Sequence, residues 1–115
     1  MTASGNMGQI DVAALAERLA QAEELQLIDV REANELAIAR LEGFEHLPLS
    51  QFKQWAEQIQ ARFDPSAETI VMCHHGMRSA QMCQWLIAQG FTQVKNLTGG
   101  IDAYADKIDP TMTRY

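Results

Sequence analysis

Cys73-His74-His75-Gly76-Met77-Arg78-Ser79 is the stretch of this chain equipped for chemistry: a thiol, two imidazoles, a guanidinium and a hydroxyl in one short segment. The apolar run Thr69-Ile70-Val71-Met72 leads into it, and Ala80 to Gln89, closed by Gly90, reads as a helix leading away. The cysteine therefore stands where a buried strand ends, at the head of a loop that feeds a helix. Backbone N–H groups of such a loop can all point at one anion, and the helix N-terminus adds about half a positive charge behind them. That setting favours the thiolate, the nucleophilic form of cysteine. Gly76 permits a tight cradle. Arg78 is expected to face the bound anion, since its guanidinium suits an oxyanion of the sulfonate type; a merely solvated surface arginine is the plainer alternative.

The other reactive residues have quieter readings. His74 and His75 are adjacent, so their side chains are expected to diverge, and no third ligand stands at a sensible spacing. No metal and no cofactor are therefore expected, and the two histidines serve the cradle through their backbone N–H groups, with one imidazole near the thiolate. Cys83, with Met82 and Leu86, reads as helix packing; the alternative is a resolving cysteine for a redox cycle. Asp29 and Arg31 end another strand close to the loop and are expected to brace it as an ion pair, a direct catalytic role being the lesser alternative. Gly99-Gly100 marks a tight turn into a helix with unusual backbone angles.

These residues need elements to hold them. Asp11 is placed to cap a helix with Val12, Leu15, Ala16 and Leu19 on its apolar face. Leu25 to Ile28 reads as a strand ending at Asp29, and a short helix follows through Glu35-Leu36-Ala37 as far as Gly43. Glu45 to Pro48 reads as a short strand, and Ser50 as the cap of a helix bearing Phe52, Trp55, Ala56 and Ile59. Val94 to Leu97 is a strand, and Thr98-Gly99-Gly100 opens the last helix. Strands separated by helices imply an α/β domain: a mostly parallel sheet of about five strands with helices on both faces. Ligands of such sheets bind outside the carboxyl ends of the strands, where Asp29 and Cys73 both fall. Residues 1–8 are expected to form a disordered leader, residues 9–107 the domain, and residues 108–115 an extended tail.

Composition narrows the function. A chain of 115 residues with 47% hydrophobic content makes one domain with its own core. Its net charge of −6 and pI near 4.9 argue against general binding to nucleic acid or an anionic membrane. The N-terminus lacks a basic, then apolar, signal pattern, and two cysteines outside any disulfide framework suit a reducing compartment, so a cytoplasmic location is expected.

Four blocks, taken in order, resemble the small single-domain rhodanese family of sulfurtransferases. They are Leu27-Ile28-Asp29-Val30-Arg31-Glu32, Gly43-Phe44-Glu45-His46-Leu47-Pro48, the Cys73–Ser79 loop, and Gly90-Phe91 through Leu97-Thr98-Gly99-Gly100-Ile101 to Ala103-Tyr104. The resemblance runs from about residue 9 to 106 and implies a three-layer rhodanese-like fold. It implies a persulfide on Cys73, a substrate-binding loop of His74, His75, Gly76, Met77, Arg78 and Ser79, and a small sulfur-containing anion as donor. Sulfane sulfur would then pass to cyanide, a thiol or a partner protein. Family members vary at the positions of His74, His75 and Met77, which tune the substrate. Two other classes remain: a sulfur-delivery or sensing module acting on a partner protein, and a cysteine-dependent phosphatase or arsenate reductase. Those last loops read Cys-x5-Arg, whereas Cys73 to Arg78 is Cys-x4-Arg, a smaller cradle that suits a sulfur atom better than a tetrahedral oxyanion.

Overall fold

Leu27 and Ile28, and likewise Ile70 and Val71, are neighbours in sequence that point to opposite faces of one sheet, and all four are buried. That pattern requires cover on both faces. The computed structural model describes residues 7–21 and 24–115. It places β1 (Gly8–Ile10), β2 (Gln26–Asp29), β3 (Glu45–His46), β4 (Thr69–Met72) and β5 (Val94–Leu97) in one parallel sheet of order β1-β5-β4-β2-β3.

The helices are α1 (Val12–Ala20), α2 (Ala33–Ile38), α3 (Phe52–Trp55), α4 (Ile59–Arg62), α5 (Met77–Ala88) and α6 (Gly100–Lys107). On one face Trp55, Ile59, Met82 and Leu86 pack with Ile28 and Val71. On the other Val12, Leu15 and Ile101 pack with Leu27 and Ile70. Register decides where the chemistry goes: Asp29 lies opposite Met72, so Cys73 leaves the sheet at the end where Asp29 does.

Several boundaries differ from expectation. Gly8 belongs to β1, paired with Lys95, and Met7 packs against the core, so both join the domain; residues 1–6 of the expected leader lie outside the described residues. An edge strand this short is held by its backbone ladder and leaves no alternation to read. Ser50 lies inside a 3-10 turn, Leu49–Gln51, and caps no helix; its hydroxyl donates to the Glu32 carboxylate. The apolar stripe from Phe52 to Ile59 is divided between α3, a 3-10 turn and α4. The tail turns at Asp109, whose carbonyl accepts from Met112 N–H at 3.0 Å, and then returns Arg114 and Tyr115 toward Cys73.

Candidate active site

The Cys73 loop is shorter than its sequence suggests, because α5 already begins at Met77. Gly76 makes the change of direction with φ of 111°, a left-handed angle open to glycine. Met77, Arg78 and Ser79 thus form the first helical turn, whose N–H groups have no partner within the helix. The Cys73 sulfur, 1% exposed as a residue, accepts the Gly76 N–H at 3.0 Å. Ser79 Oγ lies 3.2 Å from the same sulfur and 2.5 Å from Asn96 Oδ1. Asn96 Nδ2 donates to the Gly76 carbonyl at 3.0 Å, which fixes which end of the amide meets Ser79. With one hydroxyl proton, Ser79 can donate to Asn96 or to the sulfur, not to both.

The other wall comes from α6. Ile101 N–H donates to the Cys73 carbonyl at 3.0 Å, and Asp102 N–H to the His74 carbonyl at 3.1 Å. The helix can come this close because Gly100 has no side chain: a Cβ there would stand 2.3 Å from the His74 oxygen and 2.5 Å from that of Cys73. Gly100 also has φ of +61°. Gly100→Ala is therefore expected to push α6 off the loop and reduce any Cys73-dependent activity at least tenfold, the scale of roughly 1.4 kcal/mol of lost positioning. Alkylation and turnover rates equal to wild type would show that the contact is dispensable.

Cys73, His74, His75, Met77 and Arg78 line a cavity of about 220 Å³. Gly76 and Ser79 lie beneath it and are buried, so Ser79 supports the sulfur from below and does not face the cavity. Arg78 lines the cavity as expected of the loop, but its charge is already engaged. Its guanidinium forms a bidentate pair with Glu35, Nη1 to Oε1 at 2.6 Å and Nη2 to Oε2 at 2.9 Å, and is no free cation awaiting an anion. Glu35 gathers two further donors, Glu32 N–H at 3.0 Å and Tyr115 Oη at 2.9 Å. The Arg78 pair, ahead of the other contacts, holds its carboxyl down at about 2. Its contribution to stability is thus whole above the ordinary value of 4.5 and is lost as pH falls from there toward 2. Glu35→Gln should flatten the acid side of the stability profile across that window, as urea unfolding at stepped pH would measure. Part of the slope should remain with Glu68, held down likewise by Arg18 and Lys95. An unchanged slope would count against the pair.

The two histidines do not diverge. Their ring centroids are 3.9 Å apart, and His74 stacks on Tyr115 at 3.8 Å and 6°. Burial, helped by His75, lowers the His74 pKa, so the ring stays neutral further into acid. Asp29 and Arg31 form a buried pair, Arg31 Nη2 to Asp29 Oδ2 at 2.8 Å and Nε to Oδ1 at 3.0 Å. Arg31 also donates to the Ala39 carbonyl at 2.9 Å and to Tyr115 Oη at 2.9 Å. Burial works against its charge, but Asp29 and Tyr115 more than offset it and its pKa is raised. Cys83 is fully buried, and burial with the nearby Cys73 pushes its thiol up to about 12, which leaves it inert at neutral pH.

Sequence reasoning passed over Glu35, Asn96, Asp102 and Tyr115. Glu35 had a signal, an acidic residue three positions after Glu32 at a helix start. Asn96 had a fainter one, a polar residue inside a strand that the fold buries. Nothing local marks Asp102 or Tyr115.

Comparison with known proteins places this geometry in context. Residues 11–107 match the model of the rhodanese-like domain. The chain is 50% identical over 93 residues to the rhodanese-like/PpiC domain-containing protein 12, chloroplastic, of Arabidopsis thaliana, covering 81% of this chain but 31% of that longer protein. It is 34% identical over 95 residues to the thiosulfate sulfurtransferase GlpE of Vibrio cholerae, covering 83% of this chain and 85% of the relative. Among solved structures, a rhodanese-like domain protein from Staphylococcus aureus superposes with a TM-score of 0.76 at 24% identity, covering 89% of this chain and 95% of the other.

Proposed function

The chain belongs to the rhodanese-like domain family, and from that premise we propose that it is a sulfurtransferase carrying a sulfane sulfur as a persulfide on Cys73. In the first step the Cys73 thiolate attacks the outer sulfur of a donor such as thiosulfate. A new S–S bond forms to Cys73, the donor's own S–S bond breaks, and its electron pair leaves with sulfite. In the second step an acceptor thiolate, or cyanide, attacks the outer sulfur. The Cys73 S–S bond then breaks and its electron pair regenerates the Cys73 thiolate, giving an acceptor persulfide or thiocyanate. No proton or external electron is consumed in either step.

The observation that carries this reading is the seat of the sulfur. Cys73 lines the cavity with the Gly76 N–H on its Sγ at 3.0 Å, and α5, whose first-turn N–H groups lack partners within the helix, begins at Met77 just beyond it. An anionic outer sulfur in that cavity meets fixed dipoles rather than water, so the chain's contribution is electrostatic preorganisation. The engagement of Arg78 by Glu35 favours sulfur over phosphoryl chemistry, because a phosphoryl group needs a donor for each of its three oxygens. The test is intact mass after incubation with thiosulfate. The expected result is a gain of one sulfur atom on Cys73, lost on adding cyanide or a thiol. A protein that gains no sulfur, or hydrolyses an aryl phosphate faster than it forms thiocyanate, would overturn the reading.

A further inference from the structure

The expectation of no metal rested on the lack of a third ligand near His74 and His75, and α6 supplies one. Asp102, at the start of that helix, stands with one oxygen 3.6 Å from His75 Nε2. One ligand atom from each of His74, His75 and Asp102 can be chosen such that all three lie within 4.8 Å of one another. Donors around a tetrahedral zinc-like ion stand roughly 3.3 Å apart, given metal–donor bonds of about 2.0–2.2 Å. The cluster therefore needs to close by about 1.5 Å, and the His75 ring, stacked on His74 at 3.9 Å and 32° but exposed at the rim, has room to turn its nitrogen toward the shared point.

Two further observations point to a ligand. Among the described residues His74 Nε2 is buried without a hydrogen-bond partner, an uncommon state for a ring nitrogen away from water. Asp102 already attracts a cation: the Arg114 guanidinium contacts it through Nε at 3.1 Å and Nη2 at 3.2 Å. Arg114 is half exposed and also reaches Asp106 at 3.3 Å, so it can swing away from Asp102 at small cost. Two imidazoles and one carboxylate are the donor set of a borderline dication such as Zn²⁺ or Co²⁺, and too poor in oxygen for Ca²⁺ or Mg²⁺.

We propose that His74, His75 and Asp102 form a binding site for a borderline transition-metal dication at the mouth of the Cys73 cavity, with Arg114 as its resident competitor. Asp102 is drawn into place by the same α6 contact that holds the loop, since its N–H bonds the His74 carbonyl. The site is independent of sulfur transfer and does not rest on it.

Cys73 is itself a metal ligand of the soft kind, so the experiment uses Cys73→Ser protein without a polyhistidine tag. Co²⁺ is titrated and followed by its visible absorption, with calorimetry for affinity. The Cys73→Ser protein should bind one equivalent. Adding His75→Ala or Asp102→Asn should weaken binding at least about tenfold, the lower end of what even outer partners of a metal contribute. Adding Arg114→Ala should tighten it, because the competing cation is gone. No saturable binding, an affinity indifferent to both His75 and Asp102, or an Arg114→Ala protein that binds no more tightly than its parent overturns the proposal.

Discussion

Replacing Cys73 by serine is expected to abolish sulfur loading and thiocyanate formation while leaving the protein folded. The hydroxyl is nearly isosteric with the thiol and inherits its neighbours, the Gly76 N–H and the Ser79 hydroxyl, so it is not stranded in the core. It is un-ionised at neutral pH, however, and forms no bond equivalent to a persulfide. Turnover with thiosulfate and cyanide should fall at least about a thousandfold, the scale on which losing a nucleophile acts. Circular dichroism and thermal melting should remain within a few degrees of wild type. A folded Cys73→Ser protein that still forms thiocyanate would remove Cys73 from the mechanism. Cys83, buried with its thiol pushed up to about 12, is no substitute nucleophile.

The second large effect is on stability. Arg31→Met is expected to destabilise the domain by about 3–5 kcal/mol, the range for breaking a buried ion pair by removing one partner. The Asp29 carboxylate would be left with its side chain 2% exposed and without its countercharge. The Ala39 carbonyl and the Tyr115 hydroxyl would each lose a donor as well. A loss of that size lowers the melting temperature by roughly 10–20 °C in a domain of this length. Removing both charges together, Asp29→Asn with Arg31→Met, should recover part of the loss, since no lone charge remains buried. Urea unfolding of the single and double variants measures both points. A single variant within 1 kcal/mol of wild type would show that the pair is a passenger.

Arg31 also explains why the far end of the chain matters to the site. Its Nη1 donates to the Tyr115 hydroxyl, which in turn donates to Glu35, which holds Arg78 at the cavity wall. One polar chain thus links the segment after β2, the start of α2, the start of α5 and the tail. No two consecutive members of it are adjacent in sequence.

The sequence alone determined the elements whose signal is local. β4 and β5 were legible to the residue, because a short apolar run bounded by turn signals leaves little choice. α1 was legible because Asp11 caps it, accepting the Ala14 N–H at 2.8 Å. The placement of Cys73 was legible, between a buried strand and a helix, because both flanks carry local signals. Gly99-Gly100 was legible as a turn, with φ of 78° and 61°. Tertiary structure alone decided what each side chain meets. Arg78 was read as facing the anion with no partner of its own in view, because Glu35 lies on α2, and only packing brings the two helix starts together. His74 and His75 were read as diverging because neighbours on most backbones do so; Tyr115, arriving from the tail, stacks them. Gly100 was read as a turn residue, but its second role, letting α6 touch the Cys73 and His74 carbonyls, exists only once the helix is docked. Local sequence encodes dihedral preference and hydrophobic period, which are properties of a few consecutive residues. Ion pairs, ring stacks and close backbone approaches are properties of two distant segments at once, and they take form only when the sheet sets those segments in register.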